Sequence, residues 1–273
     1  MLRRWLVVVW IAAAAAGCKS ESARLKAEGN MRFNQGQYAE ARDAYARAVD
    51  ADPEDPGARV LLGNALIELH DYDAAREQFE RALELDPDAP EAHRGLMTIV
   101  SHTAAPGDSD AFARFLAHAE ALVAARPEDK NALINAGIIT SEAANPADPD
   151  AYAKAQAKAE SYLRRALKID DRDPKLLFHL VVVYARKGEV AVGERVVDRI
   201  RAVQPEAGLA DYAAAVLYAL AGARDRALAS VEALLANADV DPDSLLARTS
   251  YLASLHGDAE FQALIAEAKR RRQ

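Results

Sequence analysis

The chain has 273 residues, 51% of them hydrophobic and 28% charged, enough apolar material to bury a core in one large or two small domains, which excludes disorder. Aromatics make up only 6% and much of the apolar fraction is alanine, a composition that suits closely approaching helices over a β-sandwich. A formal charge of −8 gives no electrostatic footprint for nucleic acid, and a single cysteine, Cys18, leaves no intramolecular disulfide or cysteine-based metal cluster to form.

The chain opens with the basic Met1-Leu2-Arg3-Arg4 and an apolar stretch from Trp5 to Ala16. That stretch is shorter than the ~20 residues a transmembrane helix needs and reads as a signal peptide over residues 1–17. It ends Ala15-Ala16-Gly17-Cys18, which resembles the bacterial lipobox, with Ala15 where that motif prefers leucine. The resemblance implies that Cys18 is diacylated on sulfur and becomes the new N-terminus, with residues 18–21 as a short tether. Losing Arg3 and Arg4 would leave 32 basic against 42 acidic residues, or −10. Lys19 follows the cysteine where Gram-negative lipoproteins retained at the inner membrane carry Asp, so the same resemblance implies a lipid-anchored envelope protein in the outer membrane, facing the periplasm.

From Ser22 the chain repeats itself. Gly29-Asn30, Tyr38, Ala41, Tyr45, Ala48 and Asp52-Pro53 recur 34 residues later as Gly63-Asn64, Tyr72, Ala75, Phe79, Ala82 and Asp86-Pro87. Small residues let the two helices of a hairpin approach, aromatics fill the space between neighbours, and proline separates one hairpin from the next. The pattern resembles the tetratricopeptide repeat. What the resemblance implies is an all-α, right-handed superhelical solenoid of antiparallel helix hairpins over residues 22–273, about six to seven repeats, with first helices lining an open concave face.

Later copies follow the same register. The third starts near Pro90 and closes at Pro127, with six extra residues between its helices around 103–108. The fourth has Gly137 and Ala159, Leu163 and Ala166 at the repeat positions, with ten extra residues around 145–155. After each insertion an Asp-Ala-aromatic-Ala-basic run restarts the helix, Asp110 to Arg114 and Asp150 to Lys154, beside residues able to cap it. The insertions are expected to lengthen the second helix, projecting as a contact ridge or as plain surface loops. Copies five and six start near Pro174 and Gly208, and a degenerate seventh pair spans Pro242 to Arg272, where the basic run Lys269 to Arg272 suits the negative end of a helix.

No catalytic constellation is visible. The six histidines, His70, His93, His102, His118, His179 and His256, show no HExxH helix or metal-ligand spacing, and there is no phosphate loop or GxSxG elbow. No cofactor, metal or small-molecule substrate is expected, and no enzyme. Acidic residues in Asp-Pro turns such as Asp86-Pro87 are expected to cap the following helix.

Protein binding is expected instead. The repeat positions that face the groove in the family fall on Lys26, Asn30, Asn64 and Arg94 in the N-terminal half. Lys26 and Asn30 match the opening pair of the family's carboxylate clamp, but Leu61, Glu91 and Gly95 stand where the rest of the clamp should be. The C-terminal half offers an apolar groove, Ile134, Ile138, Phe178, Val182 and Tyr212 with Lys175, which invites a partner's amphipathic helix or extended segment; the alternative is that these side chains pack on neighbouring first helices. The architecture resembles the tetratricopeptide pilotin lipoproteins of type IV pilus systems, which implies a non-catalytic scaffold or assembly factor for a protein client, held to the membrane by its lipid. The alternative is a structural adaptor subunit of a barrel-assembly or polysaccharide-export complex.

Overall fold

A computed structural model describes residues 19–105, 108–205, 208–237, 239–247 and 250–272. Cys18 and the stretches expected as a signal peptide and a lipobox lie outside the described residues. No helix among those described is long and apolar enough to cross a membrane. The chain divides into two compact units, residues 1–127 and 128–273.

In the first unit, α1 (19–34), α3 (Pro56–Glu68) and α5 (Pro90–Thr103) are first helices, and α2 (Tyr38–Ala51), α4 (Tyr72–Leu85) and α6 (Ser109–Ala125) are their antiparallel partners. In the second, α7 (Lys130–Glu142), α9 (Pro174–Arg186) and α11 (Leu209–Leu220) pair with α8 (Pro149–Ile169), α10 (Val190–Val203) and α12 (Arg224–Ala236). The degenerate last copy has its first helix broken into α13 (Pro242–Ala247) and a 3-10 turn (Ser250–Leu255), followed by α14 (Ala259–Arg270). Residue 19, the first described, is already helical, inside the 18–21 stretch expected as a tether.

Aspartates start most of these helices. Asp55 accepts from the Gly57 and Ala58 amides, Asp108 from Ala111, Asp148 from Ala151, Asp173 from Lys175 and Leu176, and Asp258 from Glu260 and Phe261, satisfying N–H groups that have no partner inside the helix. Asp86 does not cap a helix as expected. Its carboxylate accepts from the Asp88 amide two residues on, and α5 starts at Ala89 with no side-chain cap, because the turn occupies three more residues before the helix begins.

Four first helices, α1, α3, α9 and α11, end on a left-handed residue. Gly36, Gly188 and Gly222 have φ of 74°, 73° and 73°, and in the second copy that place is held by His70 at φ 60°. The aromatic filling is tight. A Cβ on Gly63 would lie 2.7 Å from Phe79 Cζ and one on Gly95 2.3 Å from it, so the fully buried Phe79 ring needs two glycines, one on each of two first helices. Around it Tyr45, Val60, Leu66, Ala82 and Ile99 form the core of the first unit.

The insertions mainly extend the second helix, as expected: α8 runs 21 residues and α6 17, against 14 in α2 and α4. Their caps, Asp108 and Asp148, stand just ahead of the repeated Asp-Ala-aromatic runs.

A tie repeats between successive copies of the second unit. The Tyr184 hydroxyl donates to Glu160 Oε1 at 3.1 Å, and the Tyr218 hydroxyl donates to Glu194 Oε1 at 3.0 Å. Both tyrosines sit on a first helix, both glutamates on the second helix before it, and each pair is 24 residues apart. Cations close each tie, Lys187 (2.5 Å) and Arg164 (2.7 Å) on Glu160, and Arg226 on Glu194 with its guanidinium 4.0 Å over the Tyr218 ring.

Candidate protein-binding surfaces

The first helices of the first unit leave an open groove. A cavity of about 570 Å³ lies among the N-terminal parts of α1, α3 and α5, lined by Ala23, Lys26, Ala27 and Asn30, by Pro56, Gly57, Val60 and Leu61, and by Asp86, Ala89, Pro90 and Glu91. Most of that lining is apolar, a setting for a partner's buried side chains.

Its polar residues are already engaged. Lys26 Nζ donates to Asp55 Oδ2 at 2.6 Å, and the Asn30 side-chain oxygen accepts from the Tyr45 hydroxyl at 2.8 Å. Burial works to raise the Asp55 pKa, but the hydrogen bond and charge of Lys26, with the Ala58 and Gly57 amides, outweigh it and hold the carboxyl below its ordinary value. The pair that matches the start of a carboxylate clamp is therefore structural, Lys26 tying α1 to the head of α3 and Asn30 tying α1 to α2. Glu91 accepts from Arg94 at 2.9 Å and from Arg126 at 3.0 Å. Arg94 and Asn64 are not part of the cavity lining; Arg94 is exposed and Asn64 half-buried.

The apolar groove expected in the second unit is filled by the chain itself. Phe178 stacks on Tyr212 with centroids 5.5 Å apart and planes 12° off parallel, and Tyr251 meets Phe178 edge-on at 6.0 Å. The Tyr251 hydroxyl crosses to Glu142 Oε1 at 2.6 Å, 109 residues away in sequence, while Arg186 donates to the Ser141 hydroxyl at 2.8 Å and lies over the Tyr251 ring. Burial, helped by the bond to Glu142, pushes the Tyr251 pKa up. The void left beside them, lined by Ile138, Val182, His179 and Tyr251 among others, holds only about 10 Å³. Phe178, Val182 and Tyr212 are packed or buried, Ile134 and Ile138 half-buried, and Lys175 alone of the six is exposed. The physical reason is that η-turn Tyr251, supplied by the degenerate last copy, completes an aromatic cluster the earlier copies begin.

One pairing of histidines was not visible in sequence. His93 on α5 and His118 on α6 bring their Nδ1 atoms to 3.2 Å. His93 Nε2 lies 3.1 Å from the Pro87 carbonyl oxygen, which can only accept, so its proton sits on Nε2 and its bare Nδ1 takes the proton of His118. Burial first, and then the neighbouring His93, lower the His118 pKa to about 4. Among the described residues no group of three or more His, Cys, Asp or Glu is placed to hold a metal ion.

A family model described as "Tetratricopeptide repeat" matches residues 32–98, from the end of α1 through the second faithful copy into α5. Residues 32–98 carry tetratricopeptide repeats. No curated protein sequence matches it. Among solved structures, PilW, described as a widely conserved type IV pilus biogenesis factor, is 17% identical, with 86% of this chain and 97% of that one covered and a TM-score of 0.55. Pseudomonas aeruginosa pilF is 15% identical over 92% of this chain and 99% of its own, TM-score 0.57. YrrB, described as a TPR protein with an unusual peptide-binding site, is 19% identical over 84% of this chain and 99% of its own, TM-score 0.56. At these identities the likeness is one of fold. Tetratricopeptide repeats serve in general as non-catalytic scaffolds for protein–protein interaction, and the helices, hairpins and glycine-aromatic packing here are those of that scaffold.

Proposed function

We propose that this protein is a non-catalytic lipoprotein of the outer membrane, facing the periplasm and anchored through Cys18, whose tetratricopeptide repeats hold a protein client in the manner of a pilotin for type IV pilus or secretin assembly. The observation that carries the reading is the open, mostly apolar cavity of about 570 Å³ among α1, α3 and α5. It offers a partner a place to bury side chains, which the second unit's self-packed aromatic cluster does not. The signal segment ending at Cys18 supports the anchor, and the shared fold with a protein described as a pilus biogenesis factor supports the pilus assignment.

The test is a crosslinked affinity capture from detergent-solubilised membranes, comparing the parent with Leu61→Asp and with Cys18→Ala. Enrichment of a secretin or pilus subunit by the parent, lost in Leu61→Asp, supports the reading. Cys18→Ala should move the protein out of the membrane fraction; continued tight attachment sinks the anchor.

A second reading is favoured by the second unit. The Tyr251–Glu142 and Phe178–Tyr212 contacts close its concave side, which suits a rigid spacer in a barrel-assembly or export complex. Recovery of subunits of such a complex in the same capture would favour it.

A further inference from the structure

The groove runs along the middle of α1, the helix that follows the proposed anchor. Its lining begins at Ala23, continues through Lys26 and Ala27 to Asn30, and α1 is already helical at residue 19, directly after Cys18. At 1.5 Å per helical residue, Ala23 is about 8 Å and Asn30 about 18 Å along the chain from Cys18. The Pro56 and Pro90 ends of α3 and α5 line the same cavity.

Resting on the lipid anchor proposed above, we infer that the groove works at the bilayer surface and takes a juxtamembrane segment of a membrane-embedded protein, one presenting an apolar face. Acyl chains on Cys18 would leave no flexible spacer between the lipid and the solenoid, so the α1 wall of the cavity is held within ~20 Å of the anchoring residue whatever the tilt of α1. A partner confined to the same membrane then meets the groove at high effective concentration, an advantage that a long linker dilutes. The chemistry of the lining agrees. Lys26 is neutralised by Asp55 and the Asn30 oxygen is taken by Tyr45, leaving Ala23, Ala27, Val60 and Leu61 to present apolar surface, so the groove does not call for a free carboxylate terminus.

The experiment separates reach from anchoring. A Gly/Ser tether of about 30 residues, with an average span of roughly 30 Å, is inserted between Lys19 and Ser20, which keeps Lys19 beside Cys18. Parent and tethered protein both carry a photo-crosslinking benzoylphenylalanine in place of Leu61 and are irradiated in cells. The expected result is that both remain in the membrane fraction, that mass spectrometry of the parent's adduct identifies a juxtamembrane peptide of an integral membrane protein, and that the tethered form gives about tenfold less of it. Equal adduct yield from both forms, or an adduct with a soluble periplasmic protein, overturns this inference while leaving the anchor and the groove standing. A parent that fractionates as soluble, or that gives no adduct from the groove, overturns the function proposed above and this inference with it.

Discussion

Lys26 on α1 and Asp55 at the head of α3 meet at 2.6 Å, and 34 residues further on the same two repeat positions are held by Val60 and Ala89, both buried in one apolar cluster. One slot of the repeat has been filled first by an ion pair and then by a hydrocarbon contact. The charge-bearing version holds the cap of α3 in place, and Lys26→Ala should cost about 1 kcal/mol at neutral pH, measured by denaturant unfolding. Asp55 has a lowered folded pKa, so this contribution is fully present above its ordinary carboxylate value and is lost as the pH falls below that and through the depressed folded value; the cost of the substitution should shrink in acid below the ordinary carboxylate range. A cost that persists unchanged in acid would mean the pair is not the source.

Transplanting the pair tests whether the slot is modular. Ala89→Asp alone offers α5 the side-chain cap it lacks but places an unpaired carboxylate in a site only 6% exposed, two opposed effects; adding Val60→Lys supplies the partner. The double variant should be at least about 1 kcal/mol more stable than the sum of the single effects. Simple additivity would show that the second copy's backbone does not bring the two positions together as the first does.

The His93–His118 contact predicts an acid-sensitive first unit. His118 is neutral in the fold because burial disfavours its charge, so the unfolded chain binds its proton more readily. Stability from this group is complete above about pH 6.5 and declines as the pH falls from there to about 4, by up to about 3 kcal/mol. Unfolding midpoints between pH 7 and pH 4 should fall more steeply for the parent than for His118→Gln; parallel curves would remove His118 as the cause.

Phe79 gives a packing test. Gly95→Ala would put a methyl 2.3 Å from the ring's Cζ, and it should cost about 1–3 kcal/mol. In a Phe79→Leu background the same change should cost much less, because the smaller side chain leaves room. Equal penalties in both backgrounds would point to strain elsewhere in α5.

His70 supplies the opposite sign. It occupies the left-handed position that Gly36, Gly188 and Gly222 hold in other copies, so His70→Gly should relieve backbone strain and stabilise the first unit by about 0.5–1 kcal/mol, offset in part by loss of the Tyr72 hydroxyl contact at 3.0 Å. A lower unfolding midpoint would show that the contact outweighs the strain.

The hairpins were legible because their causes are local and periodic. Gly63 and Phe79 recur from Gly29 and Tyr45, and Asp108 and Asp148 stand directly before the helices they start. The state of the grooves was not. Periodicity says that Phe178 and Tyr212 face inward, but not that Tyr251, arriving from an irregular last copy, will fill the space they face; and it marks Lys26 as groove-facing without revealing that Asp55 holds it. The His93–His118 pair was missed for a related reason, since 25 residues between α5 and α6 have no fixed meaning when an insertion shifts the register. The Tyr184–Glu160 and Tyr218–Glu194 ties did carry a signal, a constant spacing, which appears once two copies are aligned on the tyrosine.

That constant spacing bears on how the chain could change length. Because Glu160 and Glu194 are interchangeable with respect to Tyr184 and Tyr218, excising one whole 34-residue period between them would hand Tyr218 to Glu160 with the donor, acceptor and separation unaltered. Unequal recombination within this half of the gene would then yield a shorter or longer array whose new joint is already furnished with its hydrogen bond, whereas the same event across the α7–α8 extension would find no matching partner. The array's natural unit of inheritance is the interval from one tyrosine to the next.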